Sequence, residues 1–364
     1  MALSKIDSDG IVSGGITADS LNIGQIGGRR NLIINGAQVI DQRNAGASVN
    51  TANAVVYVTD RWFFIENSSE TATTQQVTDA PDGFTHSFKF TNSATPTTPS
   101  YGQLVQNIEG YNVAHLDYGT SSAKTVTVSF WVKSSVTGDY SICLRNGASN
   151  RSIVSTYTIN TANTWEYKTK TFVGDTTGTW ATDNTNGLSL IYRIAGSGGT
   201  ATLDSWVTGD VFASGAVNIM GTASATWQIT GVQLEVGTVA TPFEHRSYGE
   251  ELALCQRYYI VIAEGNARPI GSGALYTGGY LATCIDFPVE MRAYPSFEQV
   301  TGSNYFTCFH NGNNDPFDGF SGVENTGTNK FFLYRNTQIS GTAGNAAWVI
   351  SNNASAKLAF ESEL

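Results

Sequence analysis

Five acidic residues are the first candidates for chemistry. A glycoside hydrolase places two carboxyl groups on either side of the scissile bond. Glu166, Glu235 and Glu244, or Asp175 and Asp183, supply the residue types for such a pair, although sequence spacing does not measure their separation. The same acids serve equally well as solvated residues of strands and loops. We therefore expect no catalytic residue among them and a protein that is not an enzyme.

Histidine and cysteine also give no catalytic or metal-binding pattern. The histidines are His86, His115, His245 and His310, and none lies in a Gly-x-Ser-x-Gly elbow between a strand and a helix. The cysteines are Cys143, Cys255, Cys284 and Cys308, without a Cys-x-x-Cys pair. We interpret these cysteines as small buried hydrophobic residues. No loop has a dense Asp-x-Asp calcium pattern, so we expect neither a metal nor a cofactor.

Binding has better support, because aromatic residues make up 11% of the chain. Aromatic faces stack on the apolar side of sugar rings while polar groups reach the hydroxyls. Trp131 lies opposite the aliphatic side of its strand, and Trp180 lies in the polar stretch GDTTGTWATDNTNG. The predicted glycan-binding residues are Trp131, Trp180, Tyr192, Arg193, Tyr276 and Tyr280. Trp131 is equally well explained by packing inside the second sheet or at a subunit contact.

Short alternating strands must position these residues. In TVTVSFWVKS, Val126, Val128, Phe130 and Val132 point one way and Trp131 points the other. Similar short runs are joined by Gly, Asn and Asp turns, and they include Asn31 to Ile40, Ala54 to Glu66, Trp165 to Val173, Leu188 to Ile194 and Val211 to Ile219. Residues 31–245 are therefore predicted to form an antiparallel two-sheet sandwich, most simply a jelly roll.

The pattern changes after Trp227 to Val236, which reads as the last strand of this sandwich with neither face fully exposed. Ser247 and Glu250 form a Ser-x-x-Glu capping box, so a short helix should begin there. Leu252, Cys255 and Tyr259 have the spacing of one helix face. The following RYYIVIAE favours a strand again. This single helix therefore links the two β-rich parts.

The second part, residues 246–364, is predicted to be a smaller β-rich head. Pro288 and Pro295 mark breaks or edges of its strands. The stretch HNGNNDPFDGFSGVENTG is interpreted as a long polar loop from His310 to Gly327, and it is an alternative place for the binding site. A last strand is expected from Ala354 to Glu363.

Residues 1–30 have a different pattern. Their apolar residues recur at every fifth position, as Ile6, Ile11, Ile16, Leu21 and Ile26, with glycines between them. A period of five fits neither a helix nor a strand, and so short a segment cannot bury its own side chains. One interpretation is an arm that orders by oligomerising or by docking on a larger particle, and the other is a disordered leader.

Composition limits the partners. The chain has 30 acidic and 20 basic residues and a net charge of −10, which disfavours nonspecific binding to nucleic acid or to an anionic membrane. No stretch approaches membrane-spanning length, and Met1 to Ile6 lacks the start of a secretory signal. We therefore expect no nucleic acid partner, no membrane insertion and assembly inside a cytoplasm.

The chain resembles bacteriophage tail-fibre and receptor-binding proteins. The resemblance rests on WQITGVQLEVGTVATPFEHRSYGEELALCQRYY at the junction, NLIINGAQVIDQRNAG with the later TDRWFF, and FPVEMRAYPSF in the last third. It implies a jelly roll like those of carbohydrate-binding modules, followed by a head that usually trimerises. The expected function is attachment of a virion to host surface polysaccharide by a homotrimer whose arm contacts other virion proteins. The alternatives are a capsid decoration, cement or head-fibre protein and a capsule depolymerase.

Overall fold

The computed structural model describes residues 29–364 except residues 53, 69, 71 and 197–201. The chain divides into two compact units, Met1–Arg246 and Ser247–Leu364. The described residues are nearly all β, with antiparallel sheets. The apolar residues of the expected arm, Ile6, Ile11, Ile16, Leu21 and Ile26, lie outside the described residues.

Unit 1 is a jelly-roll sandwich of two antiparallel sheets. One sheet has the strand order β1-β4-β5-β13-β7-β10, and the other has the order β12-β9-β8-β11-β6-β3-β2. The strands are β1 (Val49–Asn50), β2 (Val55–Thr59), β3 (Trp62–Glu66), β4 (Thr73–Val77), β5 (Ser87–Thr91), β6 (Tyr101–Glu109), β7 (Val126–Ser134), β8 (Gly138–Asn146), β9 (Arg151–Ile159), β10 (Glu166–Phe172), β11 (Asn186–Gly196), β12 (Trp206–Thr208) and β13 (Thr226–Val236). An α-turn at Gly110–Val113 and 3-10 turns at Ala114–Leu116 and Ile219–Gly221 complete the unit.

The core of unit 1 lies between the sheets, as the alternation in the sequence predicts. Val126, Val128, Phe130 and Val132 are fully buried on the inner face of β7. Strand β13 is buried along nearly its whole length, which confirms the expectation that neither of its faces is fully exposed. The outer face of β7 is therefore left to its polar residues and Trp131.

Three strand predictions in unit 1 are wrong. Asn31 to Ile40 is buried but irregular, because Asn35 and Gln38 have positive φ and the Asn35 amide bonds both backbone groups of Ile40 in place of a sheet partner. Ala54 to Glu66 forms the two strands of a hairpin. Val211 to Ile219 contains no strand, since most of it forms a covering segment over the outer face of the second sheet.

Contacts across about two hundred residues close unit 1. The Leu32 amide donates to the Leu234 carbonyl at 2.9 Å, and the Arg246 guanidinium donates to the Ile33 carbonyl at 3.0 Å and to the Asn31 carbonyl. Glu244 accepts the backbone N–H of Arg30 and of Asn31, each at 3.0 Å. The beginning and the end of unit 1 therefore lie side by side.

Unit 2 contains a three-stranded sheet of order β14-β23-β17 and a seven-stranded sheet of order β19-β18-β22-β15-β16-β21-β20. The strands are β14 (Tyr259–Glu264), β15 (Pro269–Thr277), β16 (Tyr280–Asp286), β17 (Ser296–Val300), β18 (Phe306–His310), β19 (Asn313–Phe317), β20 (Gly322–Thr326), β21 (Lys330–Arg335), β22 (Ala346–Ser351) and β23 (Lys357–Glu361). Its core includes Leu281, Phe306, Phe331, Leu333, Val349 and Phe360.

The helix at the start of unit 2 spans Tyr248–Gln256, and its Ser247–Glu250 capping box is formed as predicted. Its buried residues are Glu251 and Cys255. Tyr259 is not on this helix, because the helix ends before it and β14 begins there. The expectation that Leu252, Cys255 and Tyr259 share a helix face is therefore wrong.

The long loop expected from His310 to Gly327 is also absent. A tight turn at Asn311–Gly312, both with positive φ, makes β18 and β19 a hairpin, and β20 follows. Phe317 and Phe320 are buried in the core of unit 2. The four cysteines are free, and only Cys284 is not buried, in agreement with their interpretation as small hydrophobic residues.

Candidate functional site

A cleft of about 440 Å³ opens on the outer face of the six-stranded sheet of unit 1. We call it the aromatic cleft. Its lining residues are Asp82, Gly83, Phe84, Ser129, Trp131, Tyr167, Gly231, Pro242, Phe243 and His245. The volume lies within the range of pockets that bind small ligands, about 300–1,000 Å³.

The register of three strands forms one wall of the cleft. Trp131 on β7 pairs with Tyr167 on β10 and with Thr230 on β13. The Trp131 and Tyr167 rings lie 5.4 Å apart with a tilt of 52°, and Tyr167 is 45% exposed. Because the inner face of β7 is full of aliphatic residues, Trp131 must project outward. This wall is therefore a pair of rings on neighbouring strands, with Tyr167 exposed and Trp131 half-buried.

A β-bulge shapes the floor. The pairing of β13 with β7 shifts between Thr230 and Gln233, and Gly231 within the bulge has a φ of +61°. A Cβ on Gly231 would lie 2.6 Å from Cζ of Phe84. A backbone hydrogen bond also fixes the bulge, since the Val232 amide donates to the Gly36 carbonyl at 2.9 Å. Glycine at this position allows the Phe84 ring to lie directly against the sheet.

The opposite wall is built by two loops. Phe84 contacts Phe243 edge-on with ring centroids 5.1 Å apart, and His245 lies 5.4 Å from Phe84 and 4.9 Å from Phe243. The sequence between β4 and β5 supplies Phe84, and the segment after β13 supplies Phe243 and His245. The cleft therefore has aromatic side chains on both sides.

Asp79 anchors the loop that carries Phe84. It accepts hydrogen bonds from Lys133, from Gln228 Nε2 at 3.1 Å and from Trp165 Nε1 at 3.4 Å. Burial by itself raises the pKa of this carboxyl, but the bonds from Lys133, Gln228 and Trp165 outweigh it and lower the pKa. The anchor is therefore ionised near neutral pH and fixes the loop to the outer face of the sheet.

A buried polar network positions the second loop. Glu235 accepts from the Thr241 amide at 2.8 Å and from the Thr241 hydroxyl at 2.7 Å. Gln233 donates to Glu235 at 2.8 Å and accepts from the Glu244 amide at 2.8 Å. These bonds hold the backbone on both sides of Phe243, so both walls of the aromatic cleft are preorganised.

The acids considered for hydrolysis have structural roles. Asp175 forms a two-pronged ion pair with Arg151 at 2.8 and 2.7 Å, and Glu166 accepts from the Asn160 and Thr161 amides and from Lys168. Asp183 binds Thr185, and Glu235 and Glu244 belong to the contacts described above. Among the residues that the structure describes, Asp82 is the one carboxyl residue that lines the cleft.

The predicted glycan-binding residues have different surroundings. Trp131 lies in the aromatic cleft. Trp180 packs on the core of unit 1, edge-on to Tyr118 at 4.8 Å and to Trp206 at 5.3 Å, with its Nε1 donating to the Thr177 carbonyl. Trp180 is therefore partly buried against the core, and its contact with a glycan stays a prediction.

The prediction for Tyr192 and Arg193 is wrong, because both are buried. Tyr192 belongs to the core, and burial raises the pKa of its hydroxyl. Arg193 bonds Asp210 and lies 3.7 Å from the ring centroid of Phe212. The covering segment thus encloses the outer face of β11, and neither side chain reaches a surface ligand.

Tyr276 and Tyr280 are adjacent in unit 2, with ring centroids 6.0 Å apart, and Tyr276 is 78% exposed. The Tyr280 hydroxyl donates to Glu324, which raises its pKa to about 12. Their contact with a glycan stays a prediction. They lie in a different unit from the aromatic cleft.

Sequence reasoning missed Phe84, Tyr167, Phe243 and His245. The local pattern at Tyr167 was misleading, since its alternation with Glu166 and Lys168 favours charged residues on the outer face, whereas the register pairs them with the inner-face residues Val132 and Phe130. The other three lie in loops, and how closely these loops approach the sheet depends on the bulge at Gly231. No local pattern in the sequence reports that approach.

Two further findings concern the described part of the chain. It contains no cluster of three or more His, Cys, Asp or Glu side chains arranged to hold a metal ion. None of its helices has the length and apolar character needed to cross a membrane.

No known protein family matches the chain, and no curated protein matches it. A putative sugar binding protein from Bacteroides thetaiotaomicron is 12% identical, with a TM-score of 0.33 over 57% of this chain and 100% of that one. A family 11 carbohydrate-binding module from Clostridium thermocellum is 12% identical, with a TM-score of 0.30 over 53% of this chain and 98% of that one. The enzymatically active domain of bacteriophage CBA120 tailspike protein 4 is 14% identical, with a TM-score of 0.31 over 57% of this chain and 21% of that one. Similarities this low carry no functional argument, so the site rests on its own geometry.

Proposed function

We propose that this protein binds a glycan of a host cell surface through the aromatic cleft, as a tail-fibre or receptor-binding subunit of a bacteriophage virion. The observation that carries the binding proposal is the pair of aromatic walls, Trp131 with Tyr167 and Phe84 with Phe243, on either side of one cleft. A sugar chain between them stacks its apolar faces on the rings. Ser129, His245 and Asp82 supply polar groups for its hydroxyls.

The charges around the cleft favour an uncharged glycan. Lys133 is already bonded to Asp79 and lies 5.0 Å from the Trp165 ring centroid. Arg246 is engaged by Glu244 and by backbone carbonyls. Asp82 in the lining is acidic, as is the chain as a whole. An acidic polysaccharide would therefore meet a carboxylate in the cleft and cations that already have partners.

We propose binding rather than hydrolysis because each carboxyl group considered for a catalytic pair is engaged in structural hydrogen bonds or ion pairs. A hydrolase needs two carboxyl groups facing the same bond, about 5–9.5 Å apart. The aromatic cleft contributes Asp82 alone from the described residues. The capsule depolymerase alternative is tested by incubating the protein with host polysaccharide, where shortened polymer would overturn this part.

The virion role rests on the sequence resemblance and on the five-residue repeat of the arm, Ile6 to Ile26. In this proposal the arm joins other virion proteins, and a homotrimer presents three clefts. Three weak sites on one particle bind a cell surface far more tightly than one site does. Immunogold labelling of particles separates a tail location from a capsid decoration protein.

The direct test is binding of the full chain to host polysaccharide, measured by calorimetry with short fragments of it. Trp131→Ala should weaken binding without unfolding the protein. Tyr111→Ala is the matched control, since Tyr111 is an exposed aromatic residue of unit 1 that does not line the cleft. Equal binding by the wild type and Trp131→Ala would overturn the assignment of the site.

A further inference from the structure

The outer face of the seven-stranded sheet of unit 1 holds two arginines that share one carboxylate. Asp210 accepts a hydrogen bond from Nη2 of Arg193 and another from Nη1 of Arg145, the latter at 2.6 Å. The side chain of Arg193 is only 1% exposed, and that of Arg145 is 18% exposed. A buried charge requires a partner of opposite sign. Two guanidinium cations and one carboxylate leave one positive charge of this cluster without such a partner.

Three N–H donors of the cluster have no acceptor among the residues that the structure describes. They are Nε and Nη1 of Arg193 and Nε of Arg145. The Phe212 ring covers one flat side of the Arg193 guanidinium, with Cζ 3.7 Å from the ring centroid, so an acceptor must approach in the plane of the group. Buried donors of native proteins have a partner, and where the chain supplies none a water molecule or an ion does. These donors therefore indicate an acceptor that is not part of the polypeptide.

Strand register places further polar groups beside Arg193. It pairs with Ser141 of β8 on one side and with Gln103 of β6 on the other, at about 4.8 Å between neighbouring strands. Both side chains are buried, and Ser141 Oγ and Gln103 Oε1 also lack a partner among the described residues. The Ser141 hydroxyl can donate to an oxyanion directly, and the Gln103 amide can do so after a half-turn that exchanges its oxygen and nitrogen. Three neighbouring strands thus supply donors to one place.

Charge distinguishes an anion from a water molecule as the acceptor. A water molecule satisfies donors but leaves the unpaired positive charge uncompensated, whereas an anion does both. Asp139, on the same side of β8 as Arg145, already accepts the Thr158 hydroxyl. Burial raises the pKa of the Cys143 thiol, although the charges of Arg193 and Arg145 lower it, so this thiol stays a neutral, weak acceptor. The cluster therefore favours a negatively charged ligand.

The covering segment restricts that ligand to a small one. Its Ala213 is buried against the sheet. Backbone hydrogen bonds fix the chain on both sides of Ala213, from the Gly209 amide to the Asn150 carbonyl at 2.8 Å and from the Val217 amide to the Asp139 carbonyl at 2.7 Å. A chain held in this way leaves no opening for a sugar ring. Inorganic phosphate and sulfate are compact, and their oxygens match the planar donors of arginine.

We propose that Arg193 and Arg145 bind a small inorganic oxyanion, phosphate or sulfate, at the edge of the covering segment. The oxygens of the anion would accept from Nε and Nη1 of Arg193, from Nε of Arg145 and from the Ser141 hydroxyl. With Asp210, the anion would fasten the covering segment to the sheet. This site lies outside the proposed glycan-binding function and depends on no property of the aromatic cleft.

The test is calorimetric titration of the full chain, dialysed into a chloride buffer at pH 7, with sodium phosphate and with sodium sulfate at constant ionic strength. The wild type should bind one anion per chain with saturation. Arg145→Gln removes a cation from a partly exposed position, and it should raise the Kd by at least about tenfold, the effect of losing a charged hydrogen bond. Arg193→Lys keeps the charge but loses the planar donors, and it should raise the Kd similarly.

Arg268→Gln is the matched control, because Arg268 is exposed in unit 2 and its replacement changes the net charge equally. It should bind the anions as the wild type does, and thermal unfolding should show that every variant is folded. Absence of saturable binding by the wild type, or an unchanged Kd in both Arg145→Gln and Arg193→Lys, would overturn the proposal and leave water as the acceptor. Glucuronate binding that Arg145→Gln abolishes would overturn the assignment to an inorganic ion. Trp131→Ala should keep wild-type anion binding, which separates this result from failure of the aromatic cleft.

Discussion

Replacing Trp131 with alanine tests the aromatic cleft most directly. Trp131 lies on the outer face of β7, and its only described ring partner is Tyr167, so its removal leaves the core of unit 1 intact. A tryptophan side chain buries up to about 250 Å². If a sugar ring covers about 50 Å² of it, at about 25 cal/mol per Å², the lost contact is worth about 1.3 kcal/mol.

This free energy corresponds to about a ninefold increase in the Kd for a short glycan fragment. On whole cells the increase in the apparent Kd should be larger, because the ninefold losses at three linked sites multiply to roughly several hundredfold. Calorimetry with fragments gives the first quantity, and adsorption of labelled protein to host cells gives the second. Thermal unfolding of the same sample checks that the fold is retained.

The reasoning is refuted if Trp131→Ala binds fragments as the wild type does while both unfold at the same temperature. It is also refuted if Tyr111→Ala weakens binding equally, since that would indicate a general surface effect. A ninefold loss in the fragment assay with no further loss on cells would leave the cleft assignment intact but contradict multivalent attachment.

Three further perturbations have expected outcomes. Gly231→Ala places a Cβ 2.6 Å from Phe84 at a φ of +61°, so it should lower the free energy of unfolding by about 1–2 kcal/mol and also weaken glycan binding, as denaturant titration and calorimetry would show. Arg151→Met leaves the buried carboxylate of Asp175 without its two-pronged partner, and chemical unfolding should report a loss of about 3 kcal/mol at pH 7. Burial raises the pKa of Glu166, but its bonds from Lys168 and from backbone amides outweigh this and lower the pKa to about 2. Because the folded pKa lies below the unfolded one, the ionised carboxylate stabilises the fold above pH 4.5, and this stabilisation falls as the pH drops toward 2. Unfolding curves taken across that pH window should show this dependence in the wild type and not in Glu166→Gln.

The sequence was most informative where one local pattern determines the structure. In β7 the alternation of valine and phenylalanine with polar residues defines the inner face, and Trp131 follows as an outward residue. The helix start at Ser247 is equally local, because the capping box needs only two side chains and the backbone between them. Both could be predicted from fewer than a dozen residues.

Sequence predictions failed where a segment distant in the chain covers residues whose local pattern indicates exposure. Arg193 has the parity of an exposed residue, but Asp210 bonds it and Phe212 of the covering segment packs over it. Strand β11 is buried along nearly its whole length, although its outward side includes Ser189 and Arg193.

Only part of the aromatic cleft could be predicted from the sequence. Trp131 could be placed outward, but its partner Tyr167 depends on which strand pairs with β7, and Phe84 depends on a loop that approaches a bulge. Register and loop approach are set by contacts far apart in the chain. They are not encoded in the spacing of nearby residues.

The contacts that close unit 1 can form only late in the synthesis of the chain. The Leu32 amide and the Ile33 carbonyl find these partners only when Leu234 and Arg246 have left the ribosome, which at about 5–20 residues per second takes roughly 10–40 s. During that interval the early strands have apolar faces and no completed sheet to cover them, a state that favours aggregation. Production of this protein should therefore improve at lower temperature or with a holding chaperone, and a chain that stops before Arg246 should accumulate as insoluble material.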